Sequence, residues 1–135
     1  MASYKHLMLV EDDEDDRDFF LQVMVEIFPD IVCETASNGK IALDKLNSAH
    51  VRPDLIFLDL NMPLMNGRQF LEEIRNHSHL MEIPVVILST SGDAQTIRET
   101  IAMGARHFIT KPDLLQAWER VLRGFFDDIE KILKR

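Results

Sequence analysis

The stretch LMLVEDD, residues 7–13, places four consecutive apolar residues directly before three acidic ones. Two further runs have the same apolar character, LIFL at residues 55–58 and VVIL at residues 85–88. None of the three alternates with polar residues, and uninterrupted apolar runs of this length are typical of strands buried on both faces of a parallel sheet. We therefore predict that these runs form the centre of one sheet.

Two weaker strand patterns, IVCETA at residues 31–36 and HFIT at residues 107–110, contain polar residues that suit the edges of the same sheet. Apolar residues at helical spacing lie between the strands and predict five helices. The last helix is predicted to be long, because its apolar residues between positions 114 and 133 all fit one face. Strands that alternate with helices predict an α/β fold, a five-stranded parallel sheet covered on both sides.

The composition is that of one globular domain. Apolar residues make up 46% of the 135 residues, and 15 basic against 23 acidic residues give a net charge of −8. The acidic balance argues against a nucleic-acid partner, because no basic surplus exists to neutralise phosphates. No apolar run approaches the ~20 residues of a membrane helix or resembles a secretory signal, so we expect a cytoplasmic protein without membrane contact. The single cysteine, Cys33, excludes an internal disulfide.

Polar side chains follow four of the predicted strands. Acidic residues 11–13 follow the first, Asp59 the third, the hydroxyl residues 89–91 the fourth and Lys111 the fifth. In an open parallel α/β sheet the carboxyl ends of the strands line one edge, where ligands bind. We therefore expect carboxylates, hydroxyls and one ammonium to surround one crevice.

Carboxylates that share a crevice repel one another unless a cation lies between them. A small set of oxygen ligands suits Mg²⁺, and we expect Asp12 and Asp59 to bind it directly and Glu11 through water. A carboxylate beside a bound cation can attack phosphorus, and Lys111 with a hydroxyl would hold the phosphoryl oxygens. The plainer interpretation of the acidic run is a solvated helix start favoured by the helix dipole, and we assign that role to residues 14–16.

Four motifs in this chain together resemble the receiver domain of two-component response regulators, in particular its single-domain, chemotaxis-regulator-like members. They are LVEDD at 9–13, DLIFLDLNMP at 54–63 with NG at 66–67, PVVILS at 84–89, and GA at 104–105 followed by FITKP at 108–112. The resemblance covers nearly the whole chain and implies a flavodoxin-like fold with strand order 2-1-3-4-5. It also implies that residues 1–135 form a single receiver domain without an output domain.

The resemblance gives each residue of the crevice a role. Asp59 would accept a phosphoryl group from a sensor histidine kinase or a histidine phosphotransferase, which makes the chain a signalling phosphoacceptor rather than an enzyme. Glu11, Asp12, Asp59 and the backbone carbonyl of Asn61 would bind Mg²⁺. Lys111 would bind the phosphoryl oxygens during and after the transfer.

The resemblance also implies how the signal leaves the domain. Ser89 and Phe108 would form the switch. The Lys111–Pro112 peptide bond would be cis, although only ~5% of bonds before proline are cis in folded proteins. Output would go to a downstream protein partner or to a homodimer. Apolar residues of the last helix could either leave a docking surface or pack on the domain's own core: Phe125, Phe126, Ile129, Ile132 and Leu133.

Other functions compete with this interpretation. A phosphohydrolase resembling haloacid dehalogenases would need a second aspartate where Asn61 stands. A flavodoxin-like flavin binder would need a phosphate-binding first loop, whereas residues 11–13 carry the wrong charge. A degenerate receiver would bind partners without phosphorylation, and the intact set of acids with Asp59, Ser89 and Lys111 weighs against it.

Overall fold

The computed structural model describes residues 4–48 and 52–133. The strands of these residues are β1 His6–Val10, β2 Val32–Ala36, β3 Leu55–Asp59, β4 Val85–Ser89 and β5 His107–Thr110. The helices are α1 Glu14–Ile27, α2 Gly39–Ser48, α3 Gly67–Arg75, α4 Ala94–Ala102, α5 Leu115–Asp127 and α6 Ile129–Leu133. The predicted alternation of strands and helices is thus confirmed.

All strand pairs in the sheet are parallel, and the strand order is β2-β1-β3-β4-β5. The three continuous apolar runs therefore form its central strands, and the two polar ones form its edges. Both the placement of the runs and the 2-1-3-4-5 order implied by the resemblance are confirmed. Because each central strand is covered on both faces, every residue of β3 and β4 is buried.

The core lies on both sides of the sheet. On β1, Met8 and Val10 join an apolar cluster with residues of α2 and α3. Leu7 and Leu9 point the other way and join a cluster with residues of α1 and α5, as the alternation of side chains along a strand requires. Trp118 of α5 is 1% exposed in this second cluster.

The C-terminal segment differs from the single long helix we predicted. The Asp128 N–H donates to the Phe125 carbonyl at 3.2 Å, and the Asp128 carbonyl accepts from the Ile132 N–H at 2.9 Å, so one helix ends and another begins there. Aspartate is a poor helix former. The adjacent pair Asp127 and Asp128 also places two carboxylates at the negative end of the α5 dipole. Both effects favour a break at this point.

The apolar residues of this segment do not form a docking surface. Phe125, Phe126, Ile129 and Leu133 are at most 5% exposed, and the half-buried Ile132 packs against the same cluster. Of the two alternatives that the sequence left open, the structure shows the second, in which these residues pack on the domain's own core. None of the described helices is long and apolar enough to cross a membrane.

Candidate functional site

Three carboxylates meet where β1 and β3 end. Val10 pairs with Leu58 across the two strands, so the next residues, Glu11 just after β1 and Asp59 at the end of β3, lie side by side. Glu11 is 1% exposed and Asp59 4%, whereas the adjacent Asp12 is exposed to solvent. One carboxylate oxygen from each of the three lies within 4.8 Å of the others. The cluster predicted at this edge of the sheet is therefore formed.

Lys111, which follows β5, reaches into the same cluster. Its Nζ lies 2.8 Å from Glu11 Oε1 and 3.2 Å from Asp59 Oδ1, and 6% of its side chain is exposed. The backbone N–H of Lys111 donates to the Ser89 carbonyl at 2.8 Å, which fixes the start of its side chain at the end of β4. The ammonium therefore offsets part of the negative charge that burial makes costly.

Burial sets the ionisation of these groups. Loss of water around the Glu11 carboxylate raises its pKa to about 7, against the opposing effect of Lys111. Burial also raises the pKa of Asp59, and Lys111 again opposes the rise. For Lys111 burial alone would lower the pKa, but contact with Glu11 and Asp16 outweighs it and raises the pKa above its ordinary value. A single cation thus faces more negative charge than it neutralises.

One buried oxygen in this cluster lacks a hydrogen bond. Glu11 Oε1 makes a 2.8 Å ion pair with Lys111 Nζ and has no further hydrogen-bond partner. The other oxygen, Glu11 Oε2, accepts from the Asp13 N–H at 3.1 Å. A hard divalent cation would satisfy an uncompensated, oxygen-only set of this kind. The residues therefore fit Mg²⁺ or Mn²⁺.

The first turn of α1 contributes more to the site than the sequence predicted. Asp13, an acid to which we gave no role, is the N-cap of α1, and its side chain accepts from the Asp16 N–H at 3.0 Å. Asp16, which we interpreted as a solvated acid, accepts a hydrogen bond from Lys111 Nζ at 2.9 Å. The interpretation of Asp16 as a solvated acid is therefore wrong. The contact could not be predicted from the local sequence, because it joins residues that are far apart in the chain.

The loop after β3 places Asn61 beside the carboxylates. The Gly67 N–H donates to the Leu60 carbonyl at 2.9 Å, and a Cβ on Gly67 would lie 2.6 Å from the Asp59 carbonyl oxygen. Only glycine allows this approach. Asn66 and Gln69 then start α3 with a reciprocal capping box. Asn61 consequently lines the acidic cleft, as expected, and so does Thr90, one of the hydroxyl residues expected around the crevice.

The predicted switch residues lie outside the cleft lining. Ser89 is fully buried at the end of β4, and its hydroxyl accepts from the Ser91 N–H at 3.2 Å. Phe108 is half-buried in β5 and packs against the cluster that includes α3. The Ser91 hydroxyl donates to Asp93 at 3.5 Å, so it is directed to the start of α4. The structure thus brings together the acids, Asn61 and Lys111, and places Ser89 at the end of β4, where its carbonyl accepts from the Lys111 N–H.

One expectation about the backbone is wrong. The described residues contain no cis peptide bond, so the Lys111–Pro112 bond is trans. The trans form of a bond before proline is favoured by about 0.5–1 kcal/mol. Lys111 reaches Glu11 and Asp59 with the bond in this form, so the observed contacts of the ammonium do not require the cis isomer.

Comparison with known proteins identifies the family of the chain. The family model of the response regulator receiver domain matches residues 7–120, and the chain belongs to that family. Among curated proteins, it is 32% identical over 130 residues to the probable C4-dicarboxylate response regulator DctR of Bacillus subtilis. It is 45% identical over 83 residues to the protein-glutamate methylesterase/protein-glutamine glutaminase of Treponema denticola.

These curated relatives are longer than the chain. The matches cover 93% of the chain and 54% of DctR, but 60% of the chain and 21% of the methylesterase. The chain thus spans from about a fifth to about half of their length. What they share with it is the receiver domain of two-component signalling.

Solved structures of similar length share the fold along nearly the whole chain. The phosphorylated cyanobacterial phytochrome response regulator RcpA is 31% identical with a TM-score of 0.83, and the match covers 96% of this chain and 94% of RcpA. The Mn²⁺-bound form of Rcp1 is 28% identical with a TM-score of 0.81, covering 96% and 95%. The chemotaxis regulator CheY4 of Vibrio cholerae is 26% identical with a TM-score of 0.75, covering 90% and 98%.

Proposed function

We propose that this receiver accepts a phosphoryl group on Asp59 from a phosphohistidine of a sensor histidine kinase or a histidine phosphotransferase. The observation that carries the proposal is the position of Asp59 Oδ1, 3.2 Å from the Lys111 ammonium and inside the cluster formed with Glu11 and Asp12. A buried carboxylate held beside a cation can act as a nucleophile, and the open cleft leaves room for the phosphoryl group that it would attack. RcpA is described as phosphorylated, which supports the proposal.

The transfer has a simple balance. An oxygen of the Asp59 carboxylate forms a bond to phosphorus while the phosphorus–nitrogen bond of the donor breaks. The imidazole leaves with that electron pair and takes a proton from solvent. Lys111 neutralises part of the charge on the phosphoryl oxygens, because its ammonium already lies next to the attacking carboxylate.

Glu11, Asp12, Asp59 and the Asn61 carbonyl would hold Mg²⁺ at this site. When bound, the ion supplies positive charge that shields the carboxylates from an incoming phosphoryl group. The orphaned Glu11 Oε1 and the clustered acids support this assignment. The description of Rcp1 as Mn²⁺-bound supports it as well.

The signal would travel through Ser89 and Phe108. Phosphorylation adds about −1.5 to −2 charges at Asp59, and the buried Ser89 hydroxyl would turn toward the new oxygens. Phe108 would then move into the space that Ser89 leaves. Thr100 is the sole fully buried residue among those described in α4, so this helix has little core contact to resist a shift. A downstream protein or a second copy of the chain would bind the altered face.

Intact-protein mass spectrometry tests the proposal. The protein is incubated with phosphoramidate and Mg²⁺, and we expect a gain of one phosphoryl group that is absent in Asp59→Asn. Asp54→Asn is the matched control, since Asp54 precedes the same strand and its carboxylate accepts from the Lys5 and His6 N–H groups at the opposite end of the sheet. An asparagine oxygen can accept the same bonds, so this variant should gain the group normally.

Two results would contradict the proposal. Equal phosphoryl gain in Asp59→Asn and wild type would place the acceptor elsewhere. The absence of any gain in wild type, with small phosphodonors and with purified histidine phosphotransferases, would favour a degenerate receiver. Two expectations from the sequence stay predictions. They are that residues 1–135 act without an output domain and that the protein is cytoplasmic.

A further inference from the structure

Asp16 makes the best-directed contact of the Lys111 ammonium. Lys111 Nζ donates a hydrogen bond to Asp16 Oδ2 at 2.9 Å, and 25% of the Asp16 side chain is exposed. The contact with Glu11 is an unaligned ion pair, and the contact with Asp59 is longer, at 3.2 Å. An ammonium has three N–H donors. Here it faces three carboxylates, one of which is the proposed acceptor.

The backbone around Asp16 is firmly held. The Asp16 N–H donates to the N-cap Asp13, and the Asp13 N–H in turn donates to Glu11 Oε2 at 3.1 Å. Arg17 Nη1 also donates to the Glu11 carbonyl at 3.1 Å. The first turn of α1 is therefore tied to the end of β1, which fixes the backbone that carries the Asp16 side chain relative to the acidic cluster.

We propose that Asp16 is a positioning residue that holds the Lys111 ammonium over Asp59 before, during and after phosphoryl transfer. The inference rests on the proposed function of the site. Of the three carboxylates around Lys111, Asp59 is altered by the reaction and Glu11 is assigned to the metal. Asp16 is the partner that neither event changes.

The physical reason lies in the lysine side chain. A lysine is a point charge on a flexible four-carbon stem that loses rotamer freedom when its ammonium is held in one place. A fixed hydrogen bond to Asp16 removes much of that freedom before the donor arrives. The ammonium then keeps its place when its contact with Asp59 becomes a contact with phosphoryl oxygens. Loss of Asp16 should therefore slow the maximal rate of transfer more than it weakens donor binding.

The experiment compares phosphorylation by phosphoramidate at saturating Mg²⁺ over a range of donor concentrations. We expect Asp16→Ala to lower the maximal rate about tenfold with a smaller change in the half-saturating concentration, because a hydrogen bond between charged groups is lost. Asp16→Glu keeps a carboxylate and should recover most of the rate. Circular dichroism establishes that each variant is folded.

Asp15→Ala is the matched control for charge. It removes one unit of negative charge from the neighbouring position in the same helical turn, and Asp15 has an exposed side chain. If a less negative surface speeds the reaction with an anionic donor, the rate should rise equally in Asp15→Ala and Asp16→Ala. Only Asp16→Ala should also broaden the Lys111 ζ-ammonium signal in ¹⁵N NMR spectra, because only this variant frees the side chain.

The outcomes separate the two proposals. If wild type is phosphorylated and Asp16→Ala matches Asp15→Ala, the positioning role is overturned while the proposed function stands. A faster reaction in Asp16→Ala would also overturn it, since Asp16 would then restrain Lys111. If wild type takes up no phosphoryl group, the proposed function fails, and the positioning role fails with it.

Discussion

The ammonium nitrogen of Lys111 lies 2.8 Å from Glu11 Oε1, and these two side chains are only 6% and 1% exposed. The pair joins the end of β5 to the end of β1 across the sheet edge. Glu11 would be a costly buried charge without Lys111, because an isolated ion in the interior loses its hydration. The same contact thus supports both the fold and the chemistry of the site.

Replacement of Lys111 by methionine should destabilise the metal-free protein. Glu11 and Asp59 would lose their shared counter-charge, and breaking a buried ion pair from one side costs about 3–5 kcal/mol. Urea unfolding at pH 8 in the presence of a chelator measures the change. Added Mg²⁺ should reduce the difference from wild type, because the cation would neutralise the same carboxylates.

The pair also predicts non-additivity. In Glu11→Gln/Lys111→Met both members of this pair are neutral and only Asp59 lacks its counter-charge, so the double variant should lose less free energy of unfolding than the sum of the two single variants. Strict additivity in the chelated protein would show that the 2.8 Å contact contributes nothing to stability.

The central sheet could be predicted because each of its strands corresponds to one short, local run of apolar residues. The runs at 7–10, 55–58 and 85–88 are continuous and apolar because helices cover both faces of β1, β3 and β4. The positions of Asp59 and Lys111 followed from the rule that the strands of a parallel sheet share one carboxyl edge. Local pattern and general topology were sufficient for this much.

The errors arose where long-range contacts or small energies decide the outcome. Asp16 looks like any acid in the first turn of a helix, and its contact with Lys111 exists only once the chain has folded and α1 packs beside α5. The break at Asp128 interrupts an apolar pattern that continues on both sides of it. The isomer of the Lys111–Pro112 bond depends on a difference of about 1 kcal/mol. Periodicity carries none of this information.

Gly67→Ala should destabilise the domain by about 1–3 kcal/mol. The added Cβ would lie 2.6 Å from the Asp59 carbonyl oxygen and 2.7 Å from the Leu60 Cα, both of them backbone atoms. Relief of this overlap requires the start of α3 to move away from β3. Thermal unfolding measures the loss, and the shift should also weaken Mg²⁺ binding through Asn61.

Gly124→Ala is the control for this substitution. Gly124 is an exposed residue of α5, and its added Cβ would meet nothing within 4 Å. Alanine should raise the free energy of unfolding there by about 0.5–1 kcal/mol through helix propensity. If the two glycine variants changed stability in the same direction, the close approach of Gly67 to β3 would not be the cause.

Leu64→Gly should stabilise the protein. Leu64 has a φ of 66° and is 82% exposed, so it occupies the left-handed region without burying its side chain. Removing the side chain should relieve about 1–3 kcal/mol of backbone strain, while the greater freedom of glycine in the unfolded chain returns about 0.4–1 kcal/mol. The net gain expected in urea unfolding is about 1 kcal/mol.

Val25→Gly provides the comparison for Leu64. Val25 is 68% exposed but lies within α1, where glycine is unfavourable. This variant should lose roughly 0.3–0.5 kcal/mol, the difference in helix propensity between valine and glycine. A loss of stability in Leu64→Gly as large as that in Val25→Gly would mean that the positive φ of Leu64 carries no strain.

His107 should make the domain less stable as the pH falls below about 6.5. Burial lowers the pKa of His107, whose ring centroid lies 5.7 Å from that of Phe125. The unfolded chain therefore binds a proton at a higher pH than the native protein does, and the free energy of unfolding falls as the pH drops from 6.5 through the lower native pKa. The contribution is fully present above pH 6.5.

His107→Gln isolates this effect from that of Glu11, which has the opposite sign. Because the native pKa of Glu11 is raised to about 7, the metal-free protein loses stability from this group as the pH rises from about 4.5 to 7. Glu11 is present in both proteins, so its contribution cancels in their difference. Urea unfolding at pH 7.5 and pH 5.5 measures the free energy of unfolding of wild type and of His107→Gln. Between these two pH values wild type should lose more of this free energy than the variant does. An equal or smaller loss in wild type than in the variant would contradict the lowered pKa of His107.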